Sequence, residues 1–344
     1  MVGFAGWEMP IQYEMGILKE HEAVRTRAGM FDVSHMGRYW VGGPGAHAFI
    51  QRLITNDLDR IGADQLLYTP LCLETAGVID DITVYKMTDG CLVVANASNR
   101  APVWDWFSSR KPAEVILEDW SDRLAQVALQ GPLAQEILQP LVAEDLDPIG
   151  YYHHADRTLN DAPGVLISRN GYTGEDGFEV YVPAERAVTL WDALRERGAA
   201  PIGLGARDTL RMEMTYALYG NELDRETTPL EAGLGWTVKM KKPDFVGKAA
   251  LEAQKANGLK KSLVGFEASG NRFPRHGQAI LSGDSIVGTV TSGGFCPSIK
   301  KGMGLGYVRP DLTAVGTKIA IDVRGERVEA SVTERPFYKN ASHR

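Results

Sequence analysis

The sequence predicts an α+β protein that ends in a separate all-β unit. Before residue 258, segments with helical spacing of apolar residues alternate with strand-like segments. From Ser262 onward the chain changes to short strands separated by Gly and Asn, a pattern typical of barrels and sandwiches. A chain of 344 residues is long enough for two or three domains, and we place the last boundary in residues 256–260.

The first half of the chain predicts alternating elements. Residues 17–27 are rich in Glu, His, Arg and Ala and predict a helix, whereas residues 30–41 alternate and predict one strand. After the turn at residues 42–45, helical spacing returns over residues 46–53. Apolar and β-branched runs then predict three strands, over residues 66–73, 78–87 and 91–95. Thr88-Asp89-Gly90 forms the hairpin turn between the last two strands, and a helix begins near Val103.

The second half of the chain is divided in the same way. Strands 165–169 and 178–182 flank the Gly-rich segment Gly171–Gly177, and a strand over 126–129 stops at Gly131-Pro132. Helices are predicted over 133–139, 185–197 and 203–212. The strands of the all-β unit are predicted over 263–267, 288–291, 304–308, 318–323 and 328–332.

Charge and composition narrow the classes of function. The formal net charge is −7 and hydrophobic residues make up 44% of the chain, which argues against bulk attraction to nucleic acid. We find no apolar run long enough to span a bilayer and no secretory signal. Cys72, Cys91 and Cys296 are far apart and predict neither a disulfide framework nor a metal site. We therefore expect a cytoplasmic protein without a metal. Because no exposed apolar stripe is left over in the sequence, we also expect a monomer.

The most informative segment is Ala76–Tyr85, in which a turn leads into two adjacent carboxylates and a β-branched run. Because side chains alternate along a strand, Asp81, Thr83 and Tyr85 share one face, and Ile82 and Val84 share the face that goes to the core. An acid, a hydroxyl and a phenol in one row suit a polar pocket or a solvent-facing strand start. The local pattern leaves both possibilities open.

Two further charged residues are candidates for a site. Glu179 alternates out of phase with Phe178 and Val180, so it projects away from the face that they bury. Arg207 lies in the first turn of a predicted helix, where its charge opposes the helix dipole. Tyr216 follows nine positions later, so both residues serve one pocket only if the helix ends between them.

Four phenols lie near polar strand or loop ends: Tyr68, Tyr85, Tyr172 and Tyr216. Each alone fits a half-buried core position. Together with the carboxylates of Asp81 and Glu179 and the guanidinium of Arg207, they suit a flat heteroaromatic ligand with ring N–H groups and a carboxylate tail, such as a folate.

Several separated motifs resemble the aminomethyltransferases of the glycine cleavage system, the T-protein family. They appear in the same order over nearly the whole chain: Phe31–Gly37, Gly77–Asp81, Ala128–Pro132, Gly171–Glu179, Gly205–Arg211, Leu218–Glu222, Thr291–Pro297 and Pro336–Tyr338. One departure is Ala76, which stands where the family usually has Gly. Members also usually carry a short leader helix before the segment that starts here at Phe4.

The resemblance implies a three-domain cloverleaf around a central folate channel. The first α+β domain would comprise residues 1–40 and 125–210, and the second residues 41–124 and 211–257, with a barrel-like domain over 258–344. The implied reaction transfers the one-carbon unit from an aminomethyl-lipoyl carrier, the H-protein, to tetrahydrofolate, which gives 5,10-methylenetetrahydrofolate and ammonia. The protein would then be bacterial and cytoplasmic.

By motif position, Asp81 matches the family's essential Asp beside the folate nitrogens. Arg207 matches the residue that receives the folate glutamate. The remaining predicted folate contacts are Met36, Tyr68, Tyr85, Asn96, Tyr172, Glu179 and Tyr216.

Two other functions are compatible with the same fold. One is a tetrahydrofolate-dependent demethylase of a small S-, N- or O-methyl substrate, but such enzymes often place Ser or Asn before the Asp, where this chain has Asp80. The other is a non-catalytic folate-binding protein of the iron–sulfur assembly type. That group carries a Lys-Gly-Cys-Tyr motif, and the corresponding stretch Trp236–Lys248 has no Cys.

Overall fold

The computed structural model describes residues 1–343 and divides into two compact units. The first unit contains Met1–Thr69, Ile82–Arg207 and residues 340–343. The second contains Pro70–Asp81 and Asp208–Lys339. Among residues 1–343, no helix is both long enough and apolar enough to cross a membrane.

The α-helices are α1 (Gly16–Thr26), α2 (Ala46–Leu53), α3 (Arg100–Ser108), α4 (Ala134–Leu138), α5 (Ala187–Glu196), α6 (Leu204–Glu213) and α7 (Lys248–Asn257). The strands are β1 (Val2–Phe4), β2 (Trp7–Met9), β3 (Gly29–Asp32), β4 (Gly37–Gly42), β5 (Leu66–Cys72), β6 (Val78–Lys86), β7 (Gly90–Ala95), β8 (Ile116–Asp119), β9 (Leu124–Gln130), β10 (His154–Leu159), β11 (Ala162–Arg169), β12 (Gly177–Pro183), β13 (Ala200–Pro201), β14 (Ser262–Ala268), β15 (Ala279–Ser282), β16 (Ser285–Cys296), β17 (Lys301–Val308), β18 (Lys318–Val323) and β19 (Glu326–Thr333). Short 3-10 turns occur at Leu58–Arg60, Ala97–Asn99, Gln139–Leu141, Ala184–Arg186, Gly235–Thr237 and Pro310–Leu312.

The first unit is built around a six-stranded sheet with the order β10-β11-β12-β9-β3-β13. Its core lies where helices α4 and α5 bury Ile137, Leu138, Leu190 and Leu194 against the strands. A five-stranded sheet with the order β5-β6-β7-β4-β8 follows β3 in the chain before the six-stranded sheet resumes at β9. The chain therefore leaves one sheet, builds a second and returns, and the α+β prediction is confirmed.

One predicted strand is wrong. Residues 30–41 form two strands in different sheets, β3 and β4, because the chain turns between them. The Asp32 carboxylate accepts a hydrogen bond from the Ser34 N–H at 2.9 Å, and the Met36 N–H donates to the Val33 carbonyl at 3.1 Å. A side chain that caps its own turn in this way competes with strand pairing.

The predicted all-β unit is confirmed as a closed six-stranded barrel with the order β14-β17-β16-β15-β18-β19. Its interior is filled by aliphatic side chains and Phe266. The sixth strand, β15, and helix α7 were not predicted. Helix α7 buries only Leu251, so its apolar periodicity is weak in the sequence. The three domain boundaries stay a prediction.

Candidate functional site

The turn before the two carboxylates requires an unusual backbone. A Cβ atom on Gly77 would lie 1.7 Å from the Arg225 carbonyl oxygen, so only Gly fits there. Ala76 has a φ of 70°, a left-handed conformation that favours Gly over residues with a Cβ atom. The turn opens β6, on which Asp80 is fully buried and Asp81 is half-buried. Alternation along the strand therefore directs Asp81 away from the core that Asp80 enters.

The rest of β6 follows the predicted alternation until Tyr85. Ile82 and Val84 are buried and Thr83 is half-buried. Tyr85, predicted on a polar ligand-facing row, is 0% exposed because β11 and β12 of the same unit cover that face with Leu166 and Tyr181. Tyr85 therefore influences a bound ligand through the groups that its hydroxyl contacts, and not by direct contact.

Glu179, on β12, is the centre of a hydrogen-bonded cluster in the first unit. Its Oε2 atom lies 3.0 Å from the Gln126 amide nitrogen, 3.1 Å from the Tyr181 hydroxyl and 3.2 Å from the Tyr85 hydroxyl. Burial raises the pKa of both phenols well above the usual value, and the neighbouring Glu179 charge adds to this, so both remain protonated donors. Phe178 and Val180 are fully buried on the opposite face, as the alternation predicts.

The second carboxylate oxygen of Glu179 is available. Within residues 1–343, Oε1 has no hydrogen-bond partner, and the residue is half-buried. Because the bonded Oε2 atom fixes the carboxylate, the unbonded Oε1 atom is suited to accept a hydrogen bond from an N–H group of a small molecule.

Met36 packs against the apolar cluster that contains Tyr85 and Tyr181.

Arg207 and Tyr172 form a second contact in the first unit. The guanidinium carbon lies 4.8 Å from the centre of the Tyr172 ring, within cation–π range. The loop that carries Tyr172 is held closely, because a Cβ on Gly171 would lie 1.7 Å from the Gln130 side-chain oxygen. The half-buried guanidinium presents positive charge suited to an anion.

A buried histidine lies in the turn between β3 and β4. His35 is 3% exposed and its ring meets Phe4 edge-on at 5.7 Å. Burial lowers its pKa to about 4, with the positive charge of Arg207 contributing next. The imidazole is therefore neutral at physiological pH, and its Nδ1 atom is buried without a partner among the described residues.

The other predicted residues are each half-buried. Tyr68 lies on β5 and Asn96 follows the end of β7. Helix α6 ends at Glu213, and Thr215 has a φ of 57°, so the helix does end between Arg207 and Tyr216. The first unit thus brings together Met36, Tyr85 and Glu179, and separately Tyr172 and Arg207, while Asp81 and Tyr216 belong to the second unit.

Sequence reasoning did not identify several residues of the Glu179 cluster. Gln126 and Tyr181 contact the carboxylate directly, and Ser168 lies 3.0 Å from the Tyr85 hydroxyl. One signal was present: Gln126 is a polar residue between Ala125 and Val127 in an apolar strand. No three His, Cys, Asp or Glu side chains form a metal-binding group in the part of the chain that the structure describes.

Two family profiles match this chain in sequence. The one described as the GCVT N-terminal domain covers residues 1–242, and the one described as the glycine cleavage T-protein C-terminal barrel domain covers residues 261–339. A protein named aminomethyltransferase from Caldanaerobacter subterraneus subsp. tengcongensis is 47% identical over 345 residues, covering 98% of this chain and 92% of its own. A protein with the same name from Rubrobacter xylanophilus is 48% identical over 341 residues, covering 98% and 90%.

A solved structure is similar over the full length of the chain. It is described as the glycine cleavage system aminomethyltransferase T from Bartonella henselae, and it is 32% identical in sequence. The TM-score is 0.93, and the match covers 100% of this chain and 95% of the solved one. The mixed α+β fold and the closed barrel are thus shared with this structure.

Proposed function

The chain belongs to the glycine cleavage T-protein family and is an aminomethyltransferase, and we propose that it moves a one-carbon unit from an aminomethyl-lipoyl carrier protein to tetrahydrofolate. The carrier would be the lipoylated H-protein. The products would be 5,10-methylenetetrahydrofolate, ammonia and the dihydrolipoyl carrier. We further propose that the protein acts as a cytoplasmic monomer.

One observation supports a folate co-substrate best. The Glu179 carboxylate is held through Oε2 by neighbouring donors while Oε1 is left without a partner among residues 1–343. A reduced pterin presents N–H groups along one edge, and these are donors that such an oxygen accepts. Arg207, stacked on Tyr172, supplies a cation of the kind that binds the carboxylate tail of a folate.

The proposed chemistry needs little covalent help from the protein. A folate amine would bond to the carried carbon as the carbon–sulfur bond breaks and the dihydrolipoyl thiol leaves. Loss of ammonia would then give a folate iminium, and the second folate nitrogen would close on it to form the 5,10-methylene bridge. Asp81, half-buried on β6, would orient the attacking amine and accept its proton. Positioned acid–base help is typically worth about 10²–10⁴-fold in rate. Holding two reactants together contributes more.

Two short basic segments would steer an acidic carrier protein: residues 239–242 and the pair Lys300-Lys301. In the run Lys239–Lys242, Lys242 is 4% exposed and its ammonium lies 5.3 Å from the Phe245 ring centre. In the pair Lys300-Lys301, Lys301 forms an ion pair with Glu267 at 2.9 Å. Lys241 and Lys300 remain exposed and are the residues we assign to steering.

The decisive experiment is an assay for 5,10-methylenetetrahydrofolate with the aminomethyl-lipoyl carrier and tetrahydrofolate. We expect product with the loaded carrier and none with an unlipoylated carrier. The Asp81→Asn variant should retain folate binding and lose about 10²–10⁴-fold in turnover. Methyl transfer from a small methyl donor without any carrier would instead support the demethylase. Folate binding without either activity would support the non-catalytic alternative.

A further inference from the structure

A glutamine bridges a buried cation and the Glu179 carboxylate. Gln126, on β9, is 2% exposed. Its amide nitrogen lies 3.0 Å from Glu179 Oε2, and its amide oxygen lies 3.5 Å from Arg38 Nη1. A carboxylate only accepts hydrogen bonds and a guanidinium only donates them, so one orientation of the amide satisfies both neighbours. Gln126 is therefore held with its NH₂ group toward Glu179.

Arg38 is an unusual residue to bury. It is 0% exposed, and no carboxylate lies within ion-pair distance of it in the described part of the chain. Its Nη2 atom donates to the Ser34 carbonyl at 2.8 Å and to the Ser121 carbonyl, while Nε has no partner. A buried cation without a counter-ion is costly. Asp119 and Asp122 lie near enough to offset part of this charge, and the Gln126 amide links the guanidinium to the Glu179 carboxylate.

The two phenols cannot both be relied on to hold Glu179. Each hydroxyl has one hydrogen, and the Tyr85 and Tyr181 oxygens lie 2.8 Å apart, closer than either lies to the carboxylate. The shorter contact favours donation from Tyr85 to Tyr181 and from Tyr181 to Glu179. Two donors then hold Oε2, and Gln126 is one of them.

We propose that Gln126, with Arg38 behind it, is a positioning residue that fixes the Glu179 carboxylate so that Oε1 faces the folate N–H groups. This inference rests on the proposed function, because it acts through Glu179. Gln126 itself does not touch the substrate. Its contribution therefore exists only while Glu179 carries a carboxylate that needs to be oriented.

A double-mutant cycle tests this dependence, with the affinity for tetrahydrofolate measured by anaerobic calorimetry. Gln126→Met keeps the length of the side chain and removes the donor. It should weaken binding about tenfold in the natural background, in line with loss of a hydrogen bond to a charged group. In the Glu179→Gln background the same change should weaken binding less than twofold.

Gln130→Met is the matched control, because Gln130 is also buried on β9 but bonds to the Leu129 and Asn170 carbonyls instead. Its effect should be the same in both backgrounds. If Gln126→Met fails to fold, Gln126→Glu keeps the side-chain shape and places a second carboxylate against Glu179. That variant should weaken binding in the natural background and have little effect beside Glu179→Gln.

The cycle distinguishes the folate contact of Glu179 from the positioning role of Gln126. In one outcome, Glu179→Gln weakens tetrahydrofolate binding, and Gln126→Met causes the same loss of affinity in both backgrounds. This result overturns the positioning role of Gln126 and leaves Glu179 in the folate site. Glu179→Gln with unchanged affinity removes Glu179 from the folate site and overturns both that assignment and this inference. A loss confined to the natural background supports both.

Discussion

Replacing the buried His35 by a residue that cannot take up a proton should remove part of the protein's sensitivity to acid. The imidazole is 3% exposed and packs edge-on against Phe4. Burial lowers its pKa to about 4; the charges of Arg207 and Arg38 act in the same direction, and Asp32 opposes them. We predict that His35→Gln loses less stability than the natural protein when the pH falls from 7.5 to 5.0.

The size of the effect follows from proton linkage. An unfolded histidine takes up a proton near pH 6.5, whereas His35 in the native state does so only near pH 4. Its contribution to stability is therefore fully present above pH 6.5 and is lost as the pH falls toward 4. Between pH 7.5 and 5.0 the native protein should lose about 2 kcal/mol through this residue alone.

Urea unfolding of both proteins at pH 7.5 and pH 5.0 measures this difference directly. The natural protein should lose about 2 kcal/mol more than His35→Gln over that interval. His35→Asn, a second uncharged replacement, should behave like His35→Gln. Equal losses in all three proteins would refute a low pKa for His35 and with it the argument from burial.

Three further changes test other parts of the molecule. Arg207→Ala should weaken tetrahydrofolate binding about tenfold or more by removing a charge-assisted contact, and unchanged affinity in calorimetry would exclude that role. Deleting residues 340–344 removes the bonds that Ser342 makes to the loop Gly171–Gly177 at 2.8 and 3.0 Å, so hydrogen exchange in that loop should increase; unchanged exchange would contradict this contact. Glu222→Ala removes one of two carboxylates that pair with the buried Arg211, at 2.9 Å, while Asp208 remains at 2.7 Å, so it should lower the free energy of unfolding by about 1–3 kcal/mol; unchanged stability would show that the Glu222 contact is not needed.

Local features of the fold were predictable from the sequence because they depend on neighbours in the chain. Helix α2 begins and ends where the spacing of apolar residues predicts, and five of the six barrel strands follow from their alternation. The turn at Ala76–Gly77 and the outward direction of Asp81 and Glu179 also follow from residue type and from the period of a strand. The break within residues 30–41 was missed because one Asx turn interrupts an otherwise strand-like alternation.

The composition of the Glu179 cluster depended on contacts between distant parts of the chain. Gln126 meets Glu179 across 53 positions and Arg38 across 88. Strand alternation predicts the face on which a side chain lies, but it does not predict which strand covers that face. Tyr85 was therefore predicted on an open polar face, whereas β11 and β12 cover it. Sequence by itself determined which residues carry charge and hydrogen-bonding capacity. Only the pairing of strands in space decided which of them share a buried, low-dielectric environment, where each unpaired donor or charge is costly.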